Sequence, residues 1–160
     1  MKPKVYLETT VVSYLTARPS RDLLTLLSIN QSKLWWETCG RDFELWVSDL
    51  VLRESARGDA DAARRRLDSL SNVEVLKSDA ESDALAAVFL RNLAMPSNAA
   101  DDAFHVAIAA VNRMDYILTW NCRHIASGYA RPKLEGICLA QGYRCPIICT
   151  PPELMPPDYA

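Results

Sequence analysis

The sequence predicts one α/β domain in which a mostly parallel sheet lies between helical layers. Short runs rich in branched and aromatic residues alternate with longer stretches of helical periodicity, the pattern of strands joined by crossover helices. One of those helices, opening at Asp101-Asp102, is apolar nearly all round from Ala103 to Val111, as a helix buried against a sheet must be. It feeds directly into a strand-like Tyr-Ile-Leu-Thr-Trp that stops at the polar Asn121. A chain of 160 residues, 49% hydrophobic, is long enough to bury roughly 70% of its unfolded surface in one core. No repeat or low-complexity linker divides it. The expected organisation is a single domain over 1–150 and an irregular, proline-rich tail over 151–160.

Each element has a local reason. Lys4 to Leu7 reads as the first strand and runs into Glu8, after which Thr9 and Thr10 are expected to cap a short helix from Val11 to Thr16. Beyond Pro19-Ser20, Leu23, Leu24, Leu26, Leu27, Ile29, Leu34 and Trp35 give a longer helix ending before Gly40. Glu44 to Ser48 is a second strand, and Ser48 or Asp49 starts the helix that carries Glu54. Gly58-Asp59 breaks that helix. Asp59 to Leu70 forms another, whose Arg64-Arg65-Arg66 run reads as a solvated face. Val73 to Leu76 is a third strand, and Asp79 to Leu93 a helix with Ala84, Ala87, Val88 and Leu90 toward the core.

Asn98 is expected to cap the central helix, with Asp101 and Asp102 in its first turn, where carboxylates suit the dipole. Asp101, His105 and Asn112 share a narrow polar stripe. Asp102 lies off it, so Asp101 should point more toward solvent than Asp102. Farther on, Arg123 to Ser127 makes one helical turn, Pro132 to Gln141 a last helix, and Pro146 to Cys149 a last strand.

Composition excludes several classes. A net charge of −2 is not that of a protein holding nucleic acid by charge alone, so such contact needs a local patch or a metal. No apolar run reaches the length of a membrane span, and Met-Lys-Pro-Lys enters strand-like sequence at once, so no signal peptide and a cytoplasmic protein are expected. Five scattered cysteines (39, 122, 138, 145 and 149) read as reduced and structural. Only 5 glycines, none in a phosphate-binding loop, speak against a nucleotide-binding domain.

In open parallel sheets, sites form outside the carboxyl ends of the strands. That rule selects Glu8 after the first strand, Glu54 after the second, Asp102 at the head of the central helix and Asn121 after the strand it feeds. Carboxylates at close quarters repel one another unless a cation neutralises them. A hard ion with oxygen ligands, Mg²⁺ or Mn²⁺, would do so and could activate a water on a phosphate substrate.

The stretches Val-Tyr-Leu-Glu-Thr-Thr-Val-Val-Ser-Tyr-Leu, Ser-Asp-Leu-Val-Leu-Arg-Glu, Asp-Asp-Ala-Phe-His-Val-Ala-Ile-Ala and Asp-Tyr-Ile-Leu-Thr-Trp-Asn, in this order and spacing, resemble the PIN-domain family, including VapC-type toxins. The resemblance runs from Lys4 to Cys149. It implies a three-layer α/β/α sandwich, a PIN-like fold, and a metal-dependent endoribonuclease acting on RNA, often a homodimer and held inactive by a cognate antitoxin protein. By position, Glu8 stands where the family usually has Asp, Glu54 and Asp102 match its acids, and Asn121 stands where another Asp is common. The implied catalytic set is Glu8, Glu54, Asp102 and Asn121, with Glu8, Glu54 and Asp102 as metal ligands. Asn121 supplies a neutral acceptor and lowers the site's charge, and on it rests the alternative: a catalytically weakened or inactive PIN-like RNA- or protein-binding module.

Thr9, Thr10, Ser13, Ser48 and Thr119 could orient carboxylates or hold metal-bound water, although hydroxyls at such turns more often cap helices, and Asp101 is a further supporting candidate. His105 reads as a hydrogen-bonded structural histidine in preference to a general acid. Trp120 could stack on a base, with burial the plainer reading. Arg53, Arg57 and Arg123 lie close in sequence to the acids and could meet RNA phosphates or balance charge. Asp115 belongs at the opposite edge of the sheet.

Overall fold

A computed structural model of the protein describes residues 1–92 and 95–156. The expected end of the fifth helix at Leu93 and the end of the tail, 157–160, lie outside the described residues. Five strands, β1 (Lys4–Leu7), β2 (Glu44–Ser48), β3 (Glu74–Leu76), β4 (Tyr116–Leu118) and β5 (Ile147–Cys149), form one all-parallel sheet in the order β3-β2-β1-β4-β5. Between and around them run α1 (Thr9–Thr16), α2 (Leu23–Thr38), α3 (Asp49–Ser55), α4 (Ala60–Ser69), α5 (Ala80–Arg91), α6 (Ala100–Val111) and α7 (Arg131–Ala140).

From β1 the chain steps outward to β2 and β3, then crosses back to β4 and on to β5. Parallel crossovers are right-handed in nearly every case, so reversing direction moves the connecting helices to the other face. Accordingly α1 packs on α2, α3 and α4, while α5 packs on α6 and α7. The product is the three-layer α/β/α sandwich that the sequence predicts. Central β1 is buried at Val5, Tyr6 and Leu7, whereas edge strand β3 buries only Leu76. At the amino edge, the Lys4 N–H donates to the Asp115 carboxylate at 2.8 Å, which puts Asp115 at the entrance of β4, as expected. No helix among the described residues is long and apolar enough to cross a membrane.

Several local expectations are corrected. Asn98 does not cap α6: a 3₁₀ turn over Ser97–Ala99 winds straight into the helix, and Ala99 stands at the cap position without a side-chain bond. On α5 the buried face is Ser82, Leu85, Ala86 and Phe89; of the four residues expected toward the core, Leu90 packs against it partly buried, Ala87 and Val88 are half-buried, and Ala84 is exposed. Burial of Phe89 alone stabilises by about 1.5–3 kcal/mol, more than small alanines offer, so the phenylalanine sets the rotation of α5 against the core. Much of α2 is less buried than its leucine pattern suggests: Ile29 and Trp35 are buried, but Leu23, Leu24, Leu27 and Leu34 are exposed. Residues 122–130 form turns and bends, with an i→i+4 bond from the Ile125 N–H to Asn121 O but no regular helix. The tail begins in order, because Thr150 and Glu153 cap each other around a 3₁₀ helix at Pro151–Leu154 and Arg131 pairs with Glu153 at 2.8 Å.

The rotation of α5 is testable by unfolding in urea. Phe89→Ala is expected to cost about 3–5 kcal/mol, and Ala84→Lys less than about 0.5 kcal/mol. Equal losses would restore the alanine face.

Candidate functional site

The reversal of chain direction opens a crevice at the carboxyl ends of β1 and β4, and Glu8 sits in it. Its backbone leaves β1 with the Glu8 N–H bonded to Leu118 O at 3.0 Å, then starts α1 with Glu8 itself as the cap. Glu8 is 3% exposed. A carboxylate so buried must be hydrogen-bonded, and its Oε2 accepts from the Thr10 N–H at 3.2 Å, the Thr10 hydroxyl, and the buried Thr119 hydroxyl at 2.7 Å. The threonines expected to cap α1 therefore serve carboxylates: Thr10 holds Glu8, and Thr9 donates its hydroxyl to Glu54 Oε2.

Glu54, on α3, receives a second donor at the same oxygen from His105 Nε2 at 2.8 Å. Behind His105 lies a buried chain: its Nδ1 is 2.8 Å from the Tyr6 hydroxyl, which is 2.8 Å from Ser48 Oγ, and Ser48 Oγ in turn accepts from the Val51 N–H that opens α3. Burial pushes the Glu54 carboxyl up, but the His105 hydrogen bond and charge, with help from Thr9 and Arg57, bring it below its ordinary value. Burial likewise lowers His105, yet the bond to Glu54 and the charges of Glu8, Glu54 and Asp102 leave it raised. Because Glu54 only accepts, Nε2 carries the proton, and His105 clamps Glu54 from behind.

Each glutamate thus has one oxygen occupied by protein donors. Among the described residues no hydrogen bond engages the other, Oε1, of either side chain. Glu8 and Glu54 line a cavity of about 410 Å³ together with Asp102, Asn121, Arg57 and Tyr14. Asp102 reaches it from the first turn of α6, its Oδ2 2.7 Å from His124 Nδ1. Asn121 Oδ1 accepts from the His124 N–H at 3.0 Å, and its carbonyl accepts from Ile125 and Ala126, so Asn121 also shapes the turn that delivers His124.

The four polar residues selected from strand ends therefore line one cavity. Asp101 is exposed and is not among the lining residues, while Asp102 is half-buried and turned inward. The order of the two agrees with expectation, but the reason does not. His105 is buried, lying about 40° around the helix from Asp101 and about 60° from Asp102, and marks the inner side of the stripe. Arg57 reaches the cavity; Arg53 and Arg123 are exposed and do not line it. Sequence reasoning missed His124, Tyr6 and Tyr14. A signal existed for Tyr14, one helical turn beyond Thr10 on the same face of α1, and for His124, three residues past a turn-forming Asn.

One atom each of Glu8, Glu54 and His105 lies within 4.8 Å of the others, but His105 gives its Nε2 proton to Glu54, so of these three only the carboxylates can offer atoms to a cation. Asp102 stands outside this tight group but on the same cavity. The carboxylates of Glu8, Glu54 and Asp102 lining one cavity are oxygen ligands of the kind a hard divalent ion takes. His105 is not among the cavity-lining residues, which suits a donor behind Glu54.

Pairing of His105 with Glu54 has a signed effect on the chelated, metal-free protein. Glu54 is held below its ordinary 4.5, so its share of stability is present above that pH and is lost as pH falls through the lowered value. His105 is held above its ordinary 6.5, so its share is complete below that pH and is lost as pH rises through the raised value. His105→Leu should therefore cost most between pH 4.5 and 6.5. The loss there should be up to about 3–5 kcal/mol, because one partner of a buried pair is removed. Urea unfolding in EDTA from about pH 4 to 9 measures the gap; a gap that does not vary with pH would show the pair to be uncharged.

Neither a family model nor a curated protein sequence matches the chain. Solved structures do match its fold. VapBC2 from Rickettsia felis, bound to a DNA fragment from its promoter, aligns over 92% of this chain and 98% of its own, with 15% identity and a TM-score of 0.59. VapC20 of Mycobacterium tuberculosis, a toxin that cleaves the sarcin–ricin loop, aligns over 78% of this chain and 95% of its own, with 18% identity and a TM-score of 0.60. Identities at this level carry the fold and not the activity, and the chain has the PIN-like α/β/α fold of these VapC structures.

Proposed function

We propose that the protein is an endoribonuclease that hydrolyses RNA phosphodiester bonds with a divalent cation, Mg²⁺ or Mn²⁺, and acts as the toxin of a toxin–antitoxin pair in the cytoplasm. The observation that carries the reading is the convergence of Glu8, Glu54 and Asp102 on one cavity, with protein donors on Oε2 of each glutamate, no hydrogen bond to either Oε1 among the described residues, and only a 3.9 Å contact from His105 Nε2 to the Oε1 of Glu8. The shared fold supports the same reading, since VapC20 cleaves an RNA loop. The sequence motifs support a cognate antitoxin and a homodimer as partners.

In this reading Glu8, Glu54 and Asp102 hold the ion, which when bound supplies an activated water and neutralises charge on the scissile phosphate. Thr10 and Thr119 fix Glu8, Thr9 and His105 fix Glu54, and His124 fixes Asp102, so each carboxylate is oriented before the substrate arrives. Arg57 offers a positive charge on the same cavity for a phosphate oxygen. Asn121 offers an amide dipole where a further carboxylate would raise repulsion in the empty site.

Two measurements test it. Calorimetric titration should show Asp102→Asn binding Mn²⁺ at least about tenfold more weakly than the parent, with thermal stability in EDTA unchanged or raised because repulsion is relieved. Equal Mn²⁺ binding would make Asp102 structural. Asn121→Asp should bind Mn²⁺ more tightly and cleave single-stranded RNA at lower Mn²⁺ than the parent. If neither protein cleaves RNA with any divalent metal and Glu54→Gln changes nothing, the binding-module reading replaces the hydrolase.

A further inference from the structure

Tyr14 and Trp120 meet beside the acidic cavity, and their roles differ. Trp120 is fixed at both ends: its N–H donates to Thr10 Oγ1 at 2.8 Å, and its indole Nε1–H donates to Ser32 Oγ on α2 at 2.7 Å. The tryptophan that could have stacked on a base is thus built into the frame and is not among the cavity-lining residues. Tyr14 is among them. Its ring packs against Trp120 in a T-shaped pair, with centroids 6.1 Å apart and planes at 79°. Whichever ring presents its edge in such a pair, at least one face of Tyr14 stays uncovered by Trp120. Thr10, one turn earlier on α1, holds Glu8, so the aromatic ring and the carboxylate are carried by the same rigid turn.

We infer that Tyr14 is a stacking platform for an unpaired base of a single-stranded RNA segment whose neighbouring phosphate lies between Arg57 and the carboxylates. The inference rests on the nuclease reading and adds to it the residue that holds the base beside the scissile phosphate. A base can lie on an aromatic face only when it has left its helical stack, so a platform beside the scissile phosphate selects loops and unpaired stretches over duplex. A cation on the same cavity supplies the backbone contact. Stacking contributes binding without sequence readout, since every base has a π-face.

The probe is a fluorescein-labelled single-stranded RNA of about twelve nucleotides, free or annealed to its complement, read by fluorescence anisotropy in EDTA and again with Ca²⁺; steady-state cleavage with Mn²⁺ is measured in parallel. Binding by the parent should favour the free strand. Tyr14→Leu should weaken that binding about 5- to 150-fold, the range that loss of one stacked base implies, while Tyr14→Phe stays within about threefold. In cleavage, Tyr14→Leu should raise KM by a similar factor and leave kcat nearly unchanged, because the contact is made equally in ground and transition states. Thermal melts of the variants show whether each is folded, and Tyr14→Trp, with the larger ring, should restore or exceed parental binding. Parental affinity in Tyr14→Leu, equal losses in Tyr14→Leu and Tyr14→Phe, or no binding by the parent under any of these conditions overturns the inference. A parent that binds through Tyr14 but never cleaves defeats the nuclease reading alone, and a parent that cleaves with KM indifferent to Tyr14→Leu defeats this inference alone.

Discussion

The structure depends on one buried carboxylate. Glu8 leaves the central strand at the point where the chain reverses direction across the sheet, and its side chain is almost fully out of water. An uncompensated charge there would cost several kcal/mol. The compensation comes from three donors in two places: the N–H and hydroxyl of Thr10 at the start of α1, and the Thr119 hydroxyl just past β4. Satisfying one side chain therefore joins β1, α1 and the exit of β4, and Thr10 extends the joint to Trp120. These bonds all fall on Oε2, and the other oxygen keeps only a 3.9 Å contact with His105 Nε2, so the arrangement that makes the burial tolerable also sets the carboxylate on the cavity.

A second buried chain does for Glu54 what the threonines do for Glu8. Ser48, Tyr6, His105 and Glu54 belong to β2, β1, α6 and α3, and each is hydrogen-bonded to the next at 2.8 Å. Such a network is worth its desolvation only when every member is satisfied. Ser48 meets the condition by also capping α3, the helix that carries Glu54, so the register of the clamp and the start of the helix are set by one hydroxyl. Tyr6 is the hinge of the chain, and burial holds its hydroxyl protonated well above the ordinary range.

Much of this was legible in the sequence, for reasons that can be named. Strand ends in a parallel sheet are countable from hydrophobic runs, and polar residues placed just beyond them converge on one edge by topology alone; Glu8, Glu54, Asp102 and Asn121 follow from that rule. Partners were less legible, because a hydrogen bond between distant elements leaves no periodic trace. Tyr6 looks like any strand aromatic, and His124 sits in an irregular turn with nothing local to mark it. His105 was read as structural, and its bonds to Tyr6 and Glu54 show how a structural histidine can still decide where a carboxylate points. The rotation of α5 was misjudged because spacing treats alanine and phenylalanine alike, whereas packing weighs them by volume.

Asn121 shows how geometry separates shape from charge. Its side-chain oxygen accepts the His124 N–H, and its backbone carbonyl accepts from two later residues, so it builds the turn that brings His124 to Asp102. An aspartate would accept the same bond with the same reach, since the two side chains differ in one terminal group. The turn, the placement of His124 and the hold on Asp102 therefore do not depend on which of the two stands there. What differs is one negative charge on the cavity, and with it the balance between attraction for a cation and repulsion among the carboxylates when none is bound. In the proposed metal-dependent reading, asparagine would keep the architecture of the site and weaken its attraction for an ion, so the effect of the residue would fall on metal occupancy and not on the fold.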